Sequence, residues 1–114
     1  MKKQSILCLL ILLSCIGANA QTNDVDIHHR AASIANRMTD SLFLNKIQKD
    51  SIHSVTARLF AESQVIYKSN IPTDSLSFYM QKVEDKRDIM YKSILNDDQF
   101  LKYKKHKRSL LYGY

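Results

Sequence analysis

Between Gln21 and Tyr112 the chain has no glycine, and its only proline is Pro72. A many-stranded sheet needs tight reversals, which draw mainly on those two residue types, so a β architecture is poorly served here. The apolar spacing is helical instead. Ile27, Ala31, Ile34, Ala35, Met38 and Leu42 recur at three- and four-residue intervals, which places them on one face of an α-helix. Ile52, Val55, Leu59 and Ile66, flanked by Phe60 and Tyr67, form a second stripe. Leu76, Tyr79, Met80, Val83, Met90, Tyr91 and Ile94 form a third, and Phe100, Tyr103, Leu110 and Leu111 a short fourth. The expectation is an all-α chain of four helices.

The interruptions carry as much information as the stripes. Asn70-Ile71-Pro72-Thr73-Asp74 ends the second helix and begins the third, with Asn70 expected in a left-handed conformation and Thr73 or Asp74 as the cap. The other two breaks share one form, Leu44-Asn45-Lys46-Ile47-Gln48 and Leu95-Asn96-Asp97-Asp98-Gln99. An asparagine at an N-cap accepts from the amide three residues on, and a glutamine there reaches back to the cap's own amide. Leu44 and Leu95 point inward and fix each bend. Each motif stops one helix and restarts another at an angle.

The first twenty residues read as a secretory signal. Lys2 and Lys3 precede the apolar run Ile6–Leu13, and Ala18-Asn19-Ala20 supplies small residues for cleavage before Gln21. That run is too short for a membrane-spanning helix, which needs roughly 20 residues. The expected division is a signal over 1–20 and one helical domain over 21–114, exported to the periplasm. Leu12-Leu13-Ser14-Cys15 offers a rival reading as a lipoprotein anchored at Cys15. Both cysteines, Cys8 and Cys15, fall in the signal, so the segment after it has no thiol for a disulfide, a metal site or catalysis. Loss of Lys2 and Lys3 lowers the formal charge from +6 to +4, a modest basic excess concentrated near the C-terminus.

The paired motifs, about fifty residues apart and followed by a Tyr- and Lys-rich segment, resemble the repeated Leu-Thr-x-x-Gln signature of the Spy/CpxP family of small periplasmic proteins. Asn45 and Asn96 stand where that signature has threonine, a mild change because asparagine caps at least as well. The resemblance implies an elongated antiparallel helical hairpin that pairs with a second copy into a cradle. It also implies an ATP-independent chaperone for unfolded or envelope proteins, or alternatively a metal- or stress-sensing regulator of a membrane-anchored partner.

The side chains expected to face a client are Met80, Arg87 and Tyr91, with Lys102, Lys104, Lys105, Lys107 and Arg108 in the basic tail. Methionine and tyrosine adapt to varied apolar partners. The tail is also suited to peripheral contact with anionic lipid, whereas export argues against nucleic acid. Glu84-Asp85 reads as a solvated face beside Lys82, Lys86 and Arg87, and Asp97-Asp98 as helix-start chemistry. No spacing supports a catalytic constellation, so neither enzyme activity nor a cofactor is expected. His28 with Asp24, or His29 with Asp26, is the nearest approach to a metal-ligand pair. Adjacent His28 and His29 diverge by about 100° on a helix and do not share one site.

Overall fold

The computed structural model describes residues 25–114; the signal segment, Cys8, Cys15 and Asp24 lie outside them. The described residues are helical throughout except at short breaks, with no strand among them. Helix α1 occupies residues 25–42. It is followed by α2 (Lys46–Lys68), α3 (Thr73–Ile94), α4 (Asp97–Lys105) and α5 (Lys107–Tyr112). Four helices were expected, and five are present among the described residues. The difference lies at His106, whose φ of −109° and ψ of 20° interrupt the fourth segment. That short break turns Leu110 and Leu111 inward, and both are buried.

Helices α2 and α3 form an antiparallel hairpin, and α1 packs along α2. Ile27 and Ala31 of α1 meet Ala57 and Phe60 of α2. The larger cluster joins all five helices: Ile34, Ala35, Met38 and Leu42 of α1, Ile52 of α2, Tyr91 of α3, Tyr103 of α4, and Leu110 with Leu111 of α5. The stripe read for α1 is buried at every one of its six positions. Helix α3 differs from its expected stripe. Val83, Arg87 and Tyr91, spaced by four, are its buried residues, whereas Tyr79 is exposed.

The hairpin turn is built differently from the expected pattern. Asn70 is not left-handed, and α2 ends at Ser69, whose amide donates to the carbonyls of Val65 and Ile66. Pro72 occupies the N-cap of α3 and offers no side-chain acceptor. Thr73 and Asp74 therefore lie inside the helix, where Asp74 faces the positive end of the dipole.

The left-handed residue lies at the other break instead. Phe43 has φ 57° and is 81% exposed, the only non-glycine residue of positive φ among those described. A side chain pays steric strain there, and this one recovers little of it through burial. Replacing Phe43 with glycine is expected to raise stability by about 0.5–1 kcal/mol, read from urea unfolding at pH 7. Gly113 does for α5 what Phe43 does for α1: with φ 81° it closes the helix by donating to the carbonyl of Ser109.

Candidate functional site

Both Leu-Asn-x-x-Gln motifs form reciprocal capping boxes. The Gln48 amide donates to Asn45 Oδ1 at 2.8 Å, and Gln48 Oε1 accepts from the Asn45 amide at 3.1 Å. The Gln99 amide donates to Asn96 Oδ1 at 2.8 Å, and Gln99 Oε1 accepts from the Asn96 amide at 3.0 Å. Leu44 and Leu95 are buried beside them.

The two glutamines also bind each other. Gln48 Nε2 donates to Gln99 Oε1 at 2.7 Å, and Gln99 Nε2 donates to Gln48 Oε1 at 3.3 Å. Each carboxamide then uses its other N–H on a helix end across the junction. Gln48 donates to the carbonyl of Ile94, and Gln99 to that of Leu42, each at 3.2 Å. Both amides thereby use two donors and two lone pairs, which is their full capacity. The end of α1, the start of α2, the end of α3 and the start of α4 meet at this one lock.

A second polar network joins α3 to α4 and α5. Asp88 accepts from the Tyr103 hydroxyl at 2.8 Å and from Lys107 Nζ at 2.9 Å, with Lys104 Nζ at 3.4 Å. Burial alone raises the Asp88 pKa, but the hydrogen bonds from Lys107 and Tyr103 outweigh it and hold the carboxyl below the usual carboxylate range. A carboxylate with a lowered folded pKa adds stability that is complete above its unfolded value and disappears as pH falls through the folded one. The difference in unfolding free energy between the parent chain and Asp88→Asn, read from urea titrations, is therefore expected to be widest at neutral pH. It should amount to about 1–2 kcal/mol there and shrink below about pH 4. Burial raises the pKa of both Tyr91 and Tyr103, so both remain neutral phenols.

The residues expected to meet a client divide into three groups. Tyr91 is 0% exposed; its hydroxyl is hydrogen-bonded to that of Thr56 and its ring stands edge-on to Tyr103. Arg87 is 6% exposed, with Nη1 paired to Glu84 at 2.7 Å and its Nε buried without a hydrogen-bond partner. Burial opposes the charge of Arg87, and Glu84 more than restores it. Both side chains are interior groups in this chain rather than a client-facing surface, because the four-residue spacing Val83-Arg87-Tyr91 turns Tyr91 toward α2 and α4 and Arg87 toward α1, α2 and α5.

Lys104 and Lys107 form the second group, tied to Asp88. The third remains accessible. Met80 is half-buried in a groove with Tyr67 and Glu84. Lys102 and Lys105 line a concave surface with Ser41 and His106, and Arg108 is exposed. Lys102, Lys105 and Arg108 have no ion-pair partner among the described residues.

His28 lies beside His53 rather than in a site with His29. The two rings are edge-on, with His28 Nδ1 3.4 Å from His53 Nε2. No group of three or more metal-ligating side chains occurs among the described residues. Sequence reasoning missed this pair, which lies 25 positions apart, because nothing in its local spacing marks it. It also missed the glutamine pairing, although two identical motifs at two corners were the available signal. Arg30 and Arg37 carried a signal of the same kind, since their seven-residue spacing places them on one face of α1. No family model matches the chain, and neither a curated protein nor a solved structure is significantly similar to it.

Proposed function

We propose that this chain is an exported, ATP-independent chaperone of the Spy/CpxP kind that holds unfolding proteins of the cell envelope. The observation that carries the reading is the set of large apolar side chains left in solvent near the turn of the α2–α3 hairpin. Val65, Tyr67, Phe78 and Tyr79 are all exposed, although the core is closed without them. Apolar side chains exposed side by side mark interaction surfaces, whereas scattered ones are ordinary; the Phe78 and Tyr79 rings meet edge-on. Phe78 also lies under the Lys82 ammonium, so apolar and basic contacts sit together. The unpaired Lys102, Lys105 and Arg108 add attraction for acidic segments. The paired motifs support the same family reading.

Weak apolar and ionic contacts of this kind slow client aggregation and leave the client free to fold, with no nucleotide and no catalytic step. The purified protein is expected to suppress aggregation of a chemically denatured client at near-stoichiometric amounts. Tyr67→Ser combined with Phe78→Ser should weaken that protection without lowering the melting temperature. Absence of protection at every salt concentration tried would overturn the reading. The proposal includes a cradle-like homodimer in the periplasm, released after Ala20 or anchored through Cys15. Light scattering reads the first point, and the mass of the mature N-terminus reads the second.

A regulator that senses metal is the second reading, and the approach of His28 to His53 favours it. Two imidazole nitrogens about 3.3 Å apart span one edge of a tetrahedral zinc site. Calorimetric titration with zinc, copper and nickel, repeated on His53→Gln, separates it from the chaperone reading.

A further inference from the structure

Three arginines line one cavity where α1 passes α3 and α5. Arg30 and Arg37 of α1 and Arg87 of α3 line a cavity of about 250 Å³, whose apolar wall includes Ile34, Phe60 and Leu111. No carboxylate lines it directly; Glu84 lines the adjoining groove, which shares Arg30, Phe60 and Arg87 with it. Arg37 is held in place by donating from Nε to the carbonyl of Leu110 at 2.9 Å and from Nη2 to that of Leu111 at 3.2 Å. Its Nη1 makes no hydrogen bond among the described residues. Arg30 stacks on Phe60, with Cζ 4.4 Å from the ring centroid, and has no ion-pair partner among them. Arg87 has one carboxylate partner, Glu84, and a buried Nε with none.

Three cations against one carboxylate, partly screened from water, leave an excess of positive charge in a concave site. Like charges around one cavity repel. An anion in the cavity relieves the repulsion. Hydrated inorganic ions do not exploit the apolar wall, and the cavity is smaller than the roughly 300–1,000 Å³ of drug-sized sites. We infer that this cavity is a binding site for a carboxylate carrying one aromatic or aliphatic group. The carboxylate meets the free guanidinium donors, and the apolar group lies against Phe60 and Leu111. A small free acid and the C-terminal residue of a polypeptide share that chemistry. The inference does not rest on the chaperone reading, which uses the hairpin end and the basic arm.

Isothermal titration of the purified protein with 3-phenylpropionate tests it, with 3-phenylpropanamide and inorganic phosphate as controls. The acid is expected to bind at least about tenfold more tightly than either control, because charge-assisted pairing and apolar contact are both required. Arg30→Gln, which removes an exposed side chain without breaking a hydrogen bond, should weaken the acid about tenfold without lowering the melting temperature. A short peptide ending in a free tyrosine carboxylate, and its amidated form, identify the source. Preference for the free-ended peptide assigns polypeptide termini, and binding of the small acid alone assigns a metabolite-sized ligand; either result supports the site. Equal binding of acid and amide, phosphate as tight as the acid, indifference to Arg30→Gln, or no binding of the acid up to about 10 mM would overturn it.

Discussion

Replacing Gln99 with alanine is expected to destabilise the fold by about 2–4 kcal/mol, although the side chain removed is polar and short of the apolar core. The change breaks four hydrogen bonds and leaves three groups without partners: the Asn96 amide, the Leu42 carbonyl and part of the Gln48 carboxamide. Gln99 is only 9% exposed, so water cannot readily take their place. Gln99→Glu separates two roles of the side chain. Glutamate completes a capping box as well as glutamine does, but it has no N–H to give to Leu42 or Gln48. If capping were the whole role, Gln99→Glu would match the parent chain. The pairing across the junction predicts a loss of about 1–3 kcal/mol at pH 7, read from urea unfolding monitored by helical circular dichroism.

Tyr91→Ala is expected to have the largest effect of any single substitution in the core, about 3–5 kcal/mol. The ring is fully buried at the point where all five helices meet, with the Tyr103 ring centroid 5.1 Å away in an edge-on arrangement. Truncation leaves a cavity that rigid helices on several sides cannot close. Tyr91→Phe keeps the ring and removes only the hydroxyl, leaving Thr56 without its partner, and should cost about 1 kcal/mol. A ratio near unity between the two losses would mean that the hydroxyl pair, not packing, holds the junction.

Much of this arrangement was legible from residue spacing because the relevant forces are local. The stripe on α1 follows from the helical period alone, and so do the two capping boxes, whose partners lie three residues apart. What spacing cannot supply is which local units face each other. The Gln48–Gln99 pair joins positions 51 apart, and only the packed helices bring them together. Arg87 and Tyr91 carry the same lesson. Their polar and amphipathic character suits a surface, yet the four-residue register with Val83 turns them inward, where Glu84 and Thr56 satisfy part of their polarity. The break at His106 is not legible in the sequence, because neither glycine nor proline marks it. Asn70, a frequent left-handed residue, lost that place to an extended Ser69 that closes α2 through its own amide.

Tyr67 and Phe78 lie exposed at the hairpin end, while other residues hold the helices together at the opposite end. That division of labour places the glutamine lock at the centre of the structure. A double-mutant cycle of Gln48→Ala and Gln99→Ala, followed by urea unfolding, measures it. If the two carboxamides act as one unit, the double variant will be less destabilised than the two single losses added together, by about 1–2 kcal/mol. Losses that add to within about 0.3 kcal/mol would mean that each glutamine serves only its own cap, and that no lock joins the two corners.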